Sequence, residues 1–137
     1  MCCWFWNTRD EPKEMKGDEG MKAHRLRPFV PSGADYSVAL QFYTDLGFEK
    51  IASHDGGAIF RIGEAEFHLQ HYYHEELQNN FMMELCVHDL DAWWEHIRST
   101  GVLDRYTVKA TPPKIQPYGK RAIHLIDPAG VLWHITE

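Results

Sequence analysis

The triplets Phe67-His68-Leu69 and Trp133-His134-Ile135 repeat one pattern, aromatic, histidine, aliphatic, and they occupy matching places in the two halves of the chain. The echo extends beyond these residues. Setting Gly47 against Gly101 gives an offset of 54, which also aligns Phe48 with Val102, Tyr43 with Ile97 and Ala39 with Trp93. A duplication of this kind limits the fold sharply, because a half-domain with one apolar face must bury it against its copy.

Each half reads as strand, helix, three strands. In the first, Leu26 to Val30 is predicted as a strand stopped by Pro31-Ser32-Gly33, after which Asp35 caps a helix from Tyr36 to Leu46 that Gly47 terminates. Ala39, Phe42, Tyr43 and Leu46 fall on one face of that helix. Strands over Phe48 to Ser53, Ala58 to Ile62 and Glu66 to Tyr73 follow, parted by Asp55-Gly56-Gly57 and a tight turn at Gly63-Glu64. In the second half, Phe81 to Val87 is a strand, and Asp89 or Asp91 caps a helix with the stripe Leu90, Trp93, Trp94, Ile97 that Gly101 ends. Thr107 to Ile115 is a strand interrupted by Pro112-Pro113, and Arg121 to Ile126 with Val131 to Thr136 form a closing hairpin.

The prediction is an α+β domain in which two βαβββ modules, about 25–74 and 81–137, pair edge to edge and curl into a cup. Alternation along the strands sets what lines it. If Trp133 and Ile135 pack under the helix, then Leu132, His134 and Thr136 face the cup, and the same parity places His68 and Gln70 there.

Composition removes several alternatives. The length of 137 residues suits one domain, and 25% charged with 44% hydrophobic residues is ordinary for a soluble globular chain. Residues 1–24 read as a flexible tail of breakers and charges, with Trp4-Phe5-Trp6 its only apolar cluster, too short for an export signal or a membrane span. That tail carries four Lys/Arg against five Asp/Glu, so most of the net charge of −6 belongs to the domain. The single dibasic step Lys120-Arg121 is no phosphate-binding cluster, so nucleic acid is disfavoured as a partner. Three cysteines, two of them adjacent, make no disulfide framework and fit a reducing cytoplasm. Cys86 in Leu85-Cys86-Val87 is expected as a small buried hydrophobe.

Three segments carry a resemblance: Phe42-Tyr43-Thr44-Asp45-Leu46-Gly47-Phe48, Val87-His88-Asp89-Leu90-Asp91-Ala92-Trp93, and Asp127-Pro128-Ala129-Gly130-Val131-Leu132-Trp133-His134-Ile135. In type and spacing they resemble the vicinal oxygen chelate superfamily, in its glyoxalase, bleomycin-resistance-protein and dioxygenase family, closest to the bleomycin-resistance branch. Enzymatic members hold a divalent metal with one His, Glu or Gln on each of four strands. Carried onto this sequence, that rule falls on Pro28, His68, Met82 and His134. Proline offers no donor and a thioether is a poor ligand for hard or borderline metals, so half of the set is missing.

Two functions follow from the resemblance. The first is a metal-independent binding and sequestering protein of the bleomycin-resistance type, a homodimer taking a cationic or aromatic drug-like molecule and needing no cofactor. Its contacts would be His68, Gln70, Met82, Glu84, Tyr118, His124 and His134, with Tyr118 at the rim between Pro117 and Gly119. The alternative is a divalent-metal lyase or ring-cleaving dioxygenase whose ligands would be His68, Glu84 and His134. Other histidines weigh less: His68 and His71 point to opposite strand faces, and His88 and His96 read as helix-start and helix-surface residues. Tyr72 and Tyr73 are further aromatic candidates, whereas Trp93 and Trp94 at helical spacing belong to a core. A third reading, an accessory domain docking through Trp4-Phe5-Trp6, rests on the tail alone.

Overall fold

In the computed structural model, which describes residues 20–137, the first strand starts at Phe29. The expected first strand is shorter than predicted: β1 spans Phe29–Pro31, and Leu26 is 88% exposed. Arg25 and Arg27 reach across to Glu66 at 3.5 and 2.5 Å, and Pro28 has no N–H to give a ladder, although its carbonyl accepts from His68.

The first module then runs α1 (Tyr36–Leu46), β2 (Glu49–His54), β3 (Gly57–Ile62) and β4 (Ala65–Gln70), with strand order β1-β4-β3-β2 and β1 parallel to β4. Asp35 starts α1 by accepting from the Val38 amide. At its end the backbone must turn left-handed to let the Gly47 and Phe48 amides reach the last carbonyls, and Gly47 adopts φ +117 at no side-chain cost. β4 stops at Gln70, and Tyr72 and Tyr73 are exposed beyond it.

The second module comprises β5 (Met82–Cys86), α3 (Leu90–Thr100), α4 (Val102–Arg105), β6 (Lys109–Ala110), β7 (Lys114–Ile115), β8 (Arg121–Ile126) and β9 (Leu132–Thr136). Its order is β5-β9-β8-β6, with β7 also on β8. Asp89, not Asp91, caps α3 by accepting from the Ala92 amide. Asp91 instead faces Arg121. Pro112-Pro113 separates β6 from β7, since neither proline can donate to the ladder. Between the modules lies α2 (Glu75–Asn79), unpredicted because its five residues are too few to show a period. Gln78 of α2 is buried and donates to the Ala129 carbonyl at 3.1 Å, fastening the linker to the β8–β9 turn.

The α+β architecture with two duplicated modules is as expected, but their junction is not. Among the described residues no strand of one sheet pairs with a strand of the other. The modules meet instead through the helix-bearing faces of their sheets, which share one core of Phe42, Tyr43, Phe48, Phe60, Phe67, Ile123, Trp133 and Ile135. The reason is energetic: these two faces hold nearly all the large apolar side chains, and joining them removes both from water at once. Trp93 and Trp94 pack against the same core, as their spacing indicated. Asp45 ties α1 to the end of α4, accepting from Arg105 at 2.6 Å and from the Tyr106 hydroxyl at 2.5 Å.

One buried polar network crosses the junction. Asp127 uses Oδ1 to accept from the amides of Ala129, Gly130 and Val131, each at 2.9 Å, which shapes the Asp-Pro-Ala-Gly turn. Its Oδ2 accepts from the Tyr43 hydroxyl at 2.5 Å, and Trp133 Nε1 donates to that same hydroxyl oxygen at 2.9 Å. Burial pushes the Asp127 carboxyl up, against the pull of Tyr43 and the three amides, and burial with the adjacent carboxylate pushes the Tyr43 phenol well above its usual range. Cys86 departs from its predicted place in the core. It is half-buried on the opposite side of β5, 3.8 Å from the Thr136 hydroxyl, and is disulfide-bonded; Cys2 and Cys3 lie outside the described residues.

Candidate functional site

Because the helix sides of both sheets are consumed by the core, the other face of each is left for function. On β4, Phe67 and Leu69 point inward, so Glu66, His68 and Gln70 lie on the outward face. His68 stands between Phe29 on β1 and Ile59 on β3. The Phe29 ring lies flat on it, with centroids 4.2 Å apart and planes 3° from parallel, and His54 meets its edge at 5.5 Å. Its Nδ1 is buried without a hydrogen-bond partner. Desolvation, then the charges of His54 and Arg27, hold the ring below the ordinary histidine pKa, so a neutral imidazole is presented near pH 7. Phe29 is 53% exposed, an apolar plate open to a ligand or a second surface. Gln70 lies in the next row, between Pro31 and Gly57.

The outward face of the second sheet repeats the scheme with different chemistry. His134 stands between Glu84 on β5 and His124 on β8. The two imidazoles meet edge to face at 4.7 Å, and His124 Nε2 is buried without a partner. Desolvation and the neighbouring His134 lower the His124 pKa. Glu84 accepts from the Thr136 hydroxyl at 3.0 Å. Met82, 63% exposed, forms an apolar row with Leu132 and Ile126.

Beside His124 a recess of about 480 Å³ opens, lined by Thr111, Lys114, Ile115, Gln116, Pro117 and His124. Tyr118, 58% exposed, stands in the adjoining turn, which is closed by Gln116 N–H to Lys120 O and Gly119 N–H to Gln116 O. Of the recess residues, only His124 is reached by reasoning from strand parity. Thr111, Lys114 and Gln116 carry a signal of another kind: from Arg105 to Ile126 the chain has five Lys/Arg and no Asp or Glu, a basic tract concealed by the acidic total.

The structure thus brings together Met82, Glu84, His124 and His134 on one face, with Tyr118 near its edge, and sets His68 and Gln70 on another. It does not bring His68 and His134 into one cavity of a single chain. Phe67 and Trp133 touch inside the core, ring centroids 5.4 Å apart, so the residues that follow them project away from that core, each on the outer face of its own sheet. In the strand register the β1 neighbour of His68 is Phe29 and the β5 neighbour of His134 is Glu84, with Pro28 and Met82 one and two residues earlier in the chain.

Within a single chain, and among the described residues, no three His, Cys, Asp or Glu side chains are grouped so that they could hold a metal ion, and the alternative set of His68, Glu84 and His134 is split between the two sheets.

The fold has counterparts among known proteins. The family model described as Glyoxalase/Bleomycin resistance protein/Dioxygenase superfamily matches residues 29–135. Among solved structures, a bleomycin-binding protein complexed with bleomycin is similar at 23% identity and a TM-score of 0.71, covering 84% of this chain and 98% of its own. A bleomycin resistance determinant encoded on the transposon Tn5 is similar at 24% identity and a TM-score of 0.72, with the same coverage. The bleomycin-binding protein from bleomycin-producing Streptomyces verticillus, complexed with copper(II)-bleomycin, reaches 27% identity and a TM-score of 0.68, again covering 84% and 98%. No curated protein matches.

Proposed function

The chain belongs to the Glyoxalase/Bleomycin resistance protein/Dioxygenase superfamily, and on that premise we propose that it binds and sequesters a small amphipathic molecule, without a metal, as a homodimer. The observation that carries this reading is the pair of outward faces. Each presents a half-buried imidazole with an unpartnered ring nitrogen, His68 or His124, on the same face as an exposed apolar side chain, Phe29 on one sheet and Met82 on the other. Buried polar atoms rarely stay unpaired, and exposed apolar groups gathered on one face mark interaction surfaces.

A second copy laying its Met82 face over the Phe29 face of the first would enclose a crevice lined by His68, Gln70, Met82, Glu84, His124 and His134, with Tyr118 at the rim. Phe29 and Tyr118 supply flat apolar contact for an aromatic, drug-like ligand, and Glu84 supplies a carboxylate toward a cationic group. The bleomycin-binding relatives make bleomycin the first probe. Calorimetric titration with bleomycin and a panel of aromatic amines, paired with sedimentation analysis, tests the reading. Saturable binding by a dimer is expected, whereas a monomer with no affinity for any of these compounds removes it.

A further inference from the structure

The recess beside His124 has a chemistry that the sequence reading did not anticipate. Its lining holds an ammonium (Lys114), an amide (Gln116), a hydroxyl (Thr111) and an imidazole (His124), with Ile115 and Pro117 for apolar contact and no carboxylate. The surroundings reinforce it. Arg105 is paired with Asp45, and Arg121 with Asp91 and Glu137, whereas Lys109, Lys114 and Lys120 enter no ion pair among the described residues. The nearest acid on this sheet face, Glu84, lies on the far side of His134 and is engaged by Thr136. In a chain of net charge −6, a recess lined by one lysine and no carboxylate, within a stretch from Arg105 to Ile126 that has five Lys/Arg and no Asp or Glu, reverses the local sign.

We propose that this recess is a subsite for a carboxylate-type anion carried on an apolar body, recognised by Lys114 with Thr111, Gln116 and His124. It rests on the reading of this sheet face as a ligand-binding face, and not on the dimer, because every lining residue comes from one chain. Lys114 supplies the charge, the Thr111 hydroxyl and Gln116 amide supply directional donors, and Ile115 with Pro117 take the apolar body. The cationic group expected from the sequence would meet like charge here.

Three compounds with one aromatic body and different charge test this: 2-naphthoate, 2-naphthamide and 2-naphthylmethylammonium, titrated into the full chain at matched ionic strength and followed by amide NMR shifts. Naphthoate is expected to bind with shifts centred on Thr111, Gln116 and His124, at least about tenfold more tightly than the amide. Lys114→Gln should remove that advantage and Lys114→Glu should transfer it to the ammonium; Lys114 is exposed, so neither change threatens the fold. Naphthoate failing to bind, binding no better than the amide, or keeping its advantage in Lys114→Gln each overturns the proposal. Charge-independent binding that still shifts these residues would do so while leaving the broader ligand-binding reading intact.

Discussion

Tyr43 sits where the two modules touch, and its hydroxyl is the only group that satisfies both Asp127 Oδ2 and Trp133 Nε1 among their observed side-chain contacts. Tyr43→Phe keeps the ring packing and removes the oxygen, leaving one buried acceptor and one buried donor without a partner. At about 1–3 kcal/mol for each such group, partly relieved by relaxation, a loss of about 2–4 kcal/mol is expected from urea denaturation. Asp127→Asn should cost less, since its amide oxygen still accepts from the turn amides. The outward histidines make a second prediction, in pH. Burial depresses the pKa of His68 and His124 in the folded chain. Above about pH 6.5 the rings are neutral in both states and add no pH dependence. As pH falls below that value the unfolded chain takes up protons that the folded chain refuses, so stability declines toward the folded-state pKa. Melting temperatures between about pH 7.5 and 5.5 should therefore fall more steeply in the natural chain than in a His68→Gln, His124→Gln double variant. Equal slopes would show that these rings do not contribute.

Gly57 shows how an element depends on one position. It opens β3 opposite Gln70 with φ +154, and a Cβ there would stand 2.0 Å from the Leu69 carbonyl oxygen. Since that oxygen belongs to the β4 backbone, it cannot step aside without disturbing the ladder. Gly57→Ala should cost about 2–4 kcal/mol and broaden the amide NMR signals of β3 and β4 before those of the second module. Elements of this kind were legible in the sequence where a chemical punctuator met a long period. Asp35, Gly47 and Gly101 bracket two eleven-residue helices, and the alternation around Phe67 and Trp133 assigns strand faces correctly. Shorter elements were not legible, because α2 and α4, of five and four residues, are held by contacts distant in sequence such as Gln78 to Ala129. The site was half legible for a related reason. Parity places His68 and His134 on outward faces, but which residues neighbour them depends on register, which sets Phe29 and Ile59 beside the first and Glu84 and His124 beside the second.

At the scale of the whole molecule, the decisive fact is that the modules of one chain spend their helix-side faces on each other. The outward faces can then meet only between chains, and this arrangement has a consequence that a single-chain pocket does not share. If each crevice joins the Phe29 face of one copy to the Met82 face of the other, a symmetric dimer holds two crevices. Phe29→Glu damages one wall of both, and so does Met82→Glu, because every crevice uses one wall of each kind. Both side chains are largely exposed in the isolated chain, so these changes should leave the folded monomer intact. When the two variants are mixed and allowed to exchange, the heterodimer contains one crevice with two damaged walls and one with none. Ligand binding absent from either variant alone should therefore return in the mixture, at one site per mixed dimer, as read by calorimetric stoichiometry. A mixture that stays as inactive as its components would mean that ligand contacts do not combine the two faces from different chains, and the intersubunit crevice would have to be abandoned.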